Sequence, residues 1–350
     1  MGYTIIILLA FASSYYAEKK NNKKMVFLLA LAISLLCGLR GPQIGVDTRS
    51  YYNYFLNVQY SGYSFGTDTG FSFICKILLE LFNKPEILIL IFAIITNFLI
   101  IYRLWSFRNI ASFSTMVLVY LVFQYPYTFN IIRQYLAIAI IFWASKFIER
   151  EQNWKYILCN IIATTIHASA IIGFGYLLLI QGSKAKKKKY KIFKYGLAIV
   201  VAILSVIVMH GKMGKYLVYF NNSTYFEFSL LTVYKIICVL IILAFSKANL
   251  NKKFSITKSK EYIPLNKSIA ILYLVGLLIG SMGMFFQYMN RIGFYFSVFE
   301  MPFWGQVTKS INGPNRRFYK LLLYIIIVYY YIMTLVTNVN GILNYTTFFN

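Results

Sequence analysis

The chain has 350 residues, of which 59% are hydrophobic and only 13% charged. That departs from soluble-domain composition, and its apolar residues fall in blocks of about 15 to 20, the pattern of a polytopic helical membrane protein. Its 35 Lys and Arg outnumber 10 Asp and Glu, a formal net charge of +25, but the bases gather in loops beside the apolar blocks, which reads as topology signalling and excludes nucleic acid as the partner.

Four cysteines, Cys37, Cys75, Cys159 and Cys238, stand singly in apolar runs, and the chain has only two histidines. No metal-ligand or disulfide spacing results. Walker and dinucleotide glycine patterns are lacking too, so no metal and no cofactor are expected and an ATP-driven pump is disfavoured.

In chain order, apolar runs cover residues 3–16, 25–39, 87–102, 112–125, 131–147, 154–180, 192–210, 230–245, 269–286, 292–306 and 319–337. The first lacks a positive n-region and is expected to remain as a span. Residues 71–82 are apolar but carry Lys76 and Glu80, which suits an interfacial or re-entrant helix. The fold class predicted is all-α: a single multi-span membrane domain over 1–350, with about 10–12 transmembrane helices.

Loop charge sets the sidedness. Lys19, Lys20, Lys23 and Lys24 place the first loop inside, so residues 40–85 form an extracytoplasmic loop and interfacial helix. If 154–180 crossed once, the basic run K-A-K-K-K-K-Y-K would face outside. A re-entrant or short helical hairpin around His167 removes the conflict, leaving 183–194 and 247–267 as basic cytoplasmic loops.

The outer side then collects Arg40, Asp47, Arg49, Arg133, His167 and Arg291. A topological arginine belongs inside, so isolated outer ones need another reason. A guanidinium at a helix start suits phosphate or pyrophosphate. Each residue also has a plainer reading: Arg40 snorkelling to the interface, His167 as a bonded core histidine, Asp47 as a turn former in G-V-D-T. Tyr51, Tyr52, Tyr54, Tyr60 and Tyr63 suit an interfacial aromatic belt as well as sugar faces. Gln134 and Asn290 are the amide neighbours of Arg133 and Arg291.

Four pieces follow in order: R-x6-D-T-x2-Y-Y after the second run, N-x2-R-Q-x2-A, I-H-A-S-A-I-I, and N-R-I-G-F. Together they resemble the EpsG-like family of Wzy-type bacterial polysaccharide polymerases over nearly the whole chain. The resemblance implies a multi-pass cell-membrane glycosyltransferase that joins polyprenyl-pyrophosphate-linked oligosaccharide repeat units into exopolysaccharide or capsule on the outer face. It also implies the lipid bilayer and a chain-length regulator of the pathway as partners. Arg40, Asp47, Arg133, His167 and Arg291 are the positions it carries over.

In that chemistry the breaking glycosidic bond leaves negative charge on pyrophosphate. Arg133 and Arg291 are the expected electrostatic clamp, with Arg40 or Arg49 as a third cation. His167 or Asp47 takes the acceptor hydroxyl's proton. Arg40, Arg49, Tyr51, Tyr52, Gln134 and Asn290 are the expected substrate contacts. The competing classes are a lipid-linked oligosaccharide flippase or other transporter, which would carry charges near mid-membrane, and a membrane acyltransferase.

Overall fold

The computed structural model describes residues 2–57, 68–211, 233, 235–237, 240, 266–283, 287–310, 315–338 and 340–349. The basic loop 247–267, apart from its last two residues, most of the apolar run 230–245, and Tyr60 and Tyr63 lie outside the described residues. Among the described residues, all named elements are helices, and one bridge of β type joins Arg40 to Thr347.

The helices are α1 (Gly2–Lys20), α2 (Lys23–Gly38), α3 (Thr48–Asn57), α4 (Thr69–Phe82), α5 (Pro85–Ser106), α6 (Phe113–Val119), α7 (Tyr125–Thr128), α8 (Ile132–Glu149), α9 (Asn153–Ile166), α10 (Phe174–Lys184) and α11 (Lys188–Gly211). After the undescribed stretch come α12 (Lys267–Met282), α13 (Gln287–Ser297), α14 (Glu300–Ser310) and α15 (Asn315–Thr337). Local chemistry sets many of their ends. Asn22 and Ser112 accept the first free amides of α2 and α6, Pro85 opens α5 where its missing N–H costs nothing, and Asn83 closes α4 in the left-handed conformation.

α5, with 22 residues, and Lys320–Thr337 of α15 are long and apolar enough to cross a membrane on their own. α4 buries Phe71, Cys75, Leu78 and Leu79 while Lys76 and Glu80 pair on its exposed face. It is therefore amphipathic, as an interfacial helix must be.

Three sequence expectations meet a different local structure. The run 112–125 is not one plain helix: a π-helical turn, Tyr120–Gln124, separates α6 from α7. The run 292–306 is interrupted at Val298 and Phe299, where α13 stops and α14 begins with Glu300. The basic stretch 183–194 is largely helical, since lysine sustains a helix well, and only 185–187 separate α10 from α11.

α2, α5 and α8 run between two chemically distinct ends. At one end Arg108 donates to Asn21, Glu18 accepts from the Ser114 amide and hydroxyl, Lys309 donates to the Arg108 carbonyl, and Arg103 pairs with Glu149. At the other, the Gly41 amide donates to the Thr346 carbonyl and the Asn130 side-chain Oδ1 accepts from the Val46 amide. Residues 39–47 and the C-terminal tail are thereby fastened together beside the start of α8.

Candidate functional site

The chain reverses at His167. α9 ends at Ile166, His167 is extended with φ −150° and ψ 114°, and a 3-10 turn, Ala168–Gly173, leads into α10. The Tyr156 hydroxyl donates to the Gly173 carbonyl, which places the returning strand of backbone against α9.

Asp68, the residue before α4, meets this reversal. Asp at an N-cap ordinarily accepts from its own helix, yet the Asp68 side chain makes no such bond. Its Oδ1 accepts instead from the Ala168 amide at 2.9 Å, while Oδ2 lies 2.7 Å from Arg133 Nη1 and 3.3 Å from His167 Nδ1. The carboxylate is 8% exposed, the guanidinium 17% and the imidazole 23%, so the three groups form a half-sheltered cluster open to one side. Gly70 permits the approach: a Cβ there would stand 2.4 Å from Thr165 Oγ1.

The electrostatics follow from that contact. Burial works against the Asp68 charge, but the hydrogen bond and proximity of His167, the Arg133 guanidinium and the Ala168 amide outweigh it and hold the carboxyl below its usual range. Burial lowers the His167 pKa, and Arg133 and Arg291 add to the lowering while Asp68 opposes it. The imidazole is accordingly neutral near pH 7. An ionised carboxylate only accepts, so Nδ1 must carry the proton and donate, which leaves the lone pair on Nε2.

Arg133 sits in the first turn of α8, its guanidinium 5.0 Å from the Phe71 ring centre and 5.7 Å from that of Tyr51. Tyr51 and Tyr54 both contact Phe71. Arg291 is exposed and lies in the second turn of α13, not at its start. Gln134 is buried and donates to the Arg291 carbonyl, and Ser169 bonds the Tyr295 hydroxyl at 2.9 Å. These two bonds tie the Arg291 helix to the Arg133 helix and to the His167 turn. Asn290 is exposed, with its amide packed over Gly283.

Other expected contacts stand apart. Arg40 is fully buried: it donates to Thr48 Oγ1 at 3.1 Å, to the Phe129 carbonyl at 2.9 Å and to the Cys37 carbonyl. It is fastened to the protein's own backbone beneath the loop. Tyr52 is buried, and its hydroxyl has no hydrogen-bond partner among the described residues. Asp47 is half-buried and acts electrostatically on Tyr51, and Arg49 is exposed on α3. Neither joins the Asp68 cluster.

Asp68 was not among the expected residues. The available signal was an acid before T-G and an apolar helix, in a chain with just 10 acids. Among the described residues no group of three or more His, Cys, Asp or Glu could hold a metal ion.

No curated protein and no solved structure matches the chain significantly. The model of the EpsG family matches residues 23–347, which takes in Arg40, Asp68, Arg133, His167 and Arg291. That family is associated with membrane-bound, polymerase-like steps of polysaccharide biosynthesis, and by a match over nearly its whole length the chain belongs to the EpsG family.

Proposed function

We propose that the protein is a multi-pass glycosyltransferase that joins polyprenyl-pyrophosphate-linked oligosaccharide repeat units on the outer face of the cell membrane. The observation that carries this reading is the Asp68 carboxylate shared by Arg133 and His167, at the end of the helices where Arg291 is exposed. A neutral, carboxylate-oriented imidazole beside an outward guanidinium is what attack by a hydroxyl on a pyrophosphate-linked sugar requires.

In this mechanism the acceptor sugar's hydroxyl oxygen attacks the anomeric carbon of the donor glycan. Its proton passes to His167 Nε2. The bond between the anomeric carbon and the pyrophosphate oxygen breaks, and the lipid pyrophosphate leaves with the electron pair. Arg291 meets the developing charge, with Arg133 adding positive potential from beside Asp68. Asp68 is a positioning residue: it holds the His167 tautomer and stabilises the imidazolium that forms. Tyr51, expected as a substrate contact, is buried between Phe71 and Arg133 and supports the Arg133 guanidinium instead of meeting a sugar ring.

Support for this reading comes from the family match, the excess of base at the end opposite the cluster, and the shelter of the cluster itself. Its test is chain growth in proteoliposomes loaded with lipid-linked repeat units. Wild-type protein should lengthen the glycan without ATP or added metal, and Arg291→Lys should reduce the rate roughly a hundredfold, the scale of one lost transition-state donor. Undiminished growth by Arg291→Lys contradicts the role given to Arg291. No growth by the wild type contradicts the reaction.

A further inference from the structure

An apolar groove of about 670 Å³ lies between α10, α11, α12 and α13. Leu179, Ala198, Ile199, Val275, Leu278 and Ile292 are among the residues on its walls. On α12 the wall runs from Ile271 to Met282, about 16 Å at 1.5 Å per residue.

Small residues explain why no side chain fills it. On its walls Gly175 carries no side chain and Ala198 contributes a single methyl group. α12 and α13 approach closely through glycines, since a Cβ on Gly293 would stand 3.1 Å from Gly280 Cα and one on Gly276 2.8 Å from the Ser297 amide. This small-residue contact fixes one wall, so the groove does not close by the two helices sliding together.

One end of the groove lies along the stretch of α13 that carries Arg291. Met289 and Ile292, both on its wall, flank Arg291 in sequence, and Ile172 belongs to the 3-10 turn that begins directly after His167. Among the described residues no acid lines the groove, and Arg291 makes no ion pair there. A long apolar channel that ends at an exposed guanidinium is complementary to one kind of molecule: a hydrocarbon chain carrying an anionic head.

We infer that this groove holds the isoprenoid chain of the lipid pyrophosphate whose head lies at Arg291. The assignment rests on the polymerase reading and adds to it the place where the hydrocarbon chain of the lipid-linked donor is held. It further implies that the donor is selected by its chain as well as by its sugars, because transfer from the bilayer brings no hydrophobic gain and the fit of the chain to the packed walls decides.

The test is photo-crosslinking on the full chain in nanodiscs, with a benzophenone amino acid replacing Leu278 in the groove or Ile325 on the exposed side of α15. The probe is a radiolabelled long-chain polyprenyl pyrophosphate. Capture at position 278 should exceed capture at 325 by about tenfold, and unlabelled polyprenyl pyrophosphate, but not excess phosphatidylglycerol, should remove it. Equal capture at both positions, or removal by phosphatidylglycerol, means that ordinary bilayer lipid fills the groove and overturns the inference.

A second variant guards against misfolding. Ala198→Trp narrows the groove and should lower the preference for a long-chain over a short-chain pyrophosphate donor by about tenfold, a ratio that loss of folded protein leaves unchanged. An unaltered ratio counts against the groove. Selective capture without glycan growth would overturn the polymerase reading and leave the lipid site standing, whereas growth without selective capture would do the reverse.

Discussion

The Asp68 carboxylate reaches His167 Nδ1 at 3.3 Å across 99 residues of sequence, and in doing so leaves its own helix uncapped. A group that forgoes the local bond for the distant one sets the protonation state of the distant partner. If Asp68 orients His167, Asp68→Asn should lower polymer formation by about a hundredfold to ten-thousandfold, the range of general-base contributions. Steady-state rates in proteoliposomes, with protein level followed alongside, check this. An Asn variant with full activity removes Asp68 from the mechanism.

The pH profile separates positioning from mere support. Imidazolium cannot accept a proton, so the rate should fall as pH falls through the His167 pKa, with the acid limb centred below the ordinary value of about 6.5 because burial, Arg133 and Arg291 all disfavour the cation. Asp68 favours the cation, so Asp68→Asn should move the limb to still lower pH. A limb above the ordinary value, or one that does not move in the variant, contradicts the assignment.

Arg40 and Arg291 should behave oppositely. Arg40 is buried with bonds to Thr48 and to two backbone carbonyls, so Arg40→Lys loses bonds in a closed site and should cost about 1.5 to 3 kcal/mol of stability, seen as a lower unfolding midpoint in detergent. Arg291→Lys should leave that midpoint in place and lower only the rate. The same loss of stability in both variants would mean that Arg291 is also structural.

Gly70 is a steric control on the cluster. A methyl group there would collide with Thr165, two residues before His167, so Gly70→Ala should push α4 away from α9, destabilise by about 1–3 kcal/mol and lengthen the Asp68 to His167 contact. Activity should fall by more than the folded fraction does. Equal losses would place Gly70 in packing alone.

The sequence made some of this legible and hid the rest for physical reasons. The reversal at His167 follows from lysine placement, because charge beside a span is a local property of the chain. Arg133 and Arg291 stand out as bases in apolar surroundings. Asp68 does not stand out, because its meaning comes from Arg133 and His167, 65 and 99 residues away, and no local spacing encodes such a meeting. Arg40 reads like the other outer arginines until burial separates it from them. The break before Glu300 was readable: Pro302 suits only the first turn of a helix, so F-E-M-P marks a start inside what otherwise looks like one apolar run. The π-helical turn at Tyr120–Gln124 left no such mark.

Joining of lipid-linked repeat units after they have reached the outer leaflet is the reaction proposed for the protein. It is tested most directly by locating the single repeat units that accumulate in cells carrying His167→Ala, using a membrane-impermeant glycan reagent. They should accumulate on the outer leaflet, reactive in intact cells. Accumulation on the inner leaflet, reactive only after the membrane is opened, would contradict the proposed reaction and point to transport of the lipid-linked units instead.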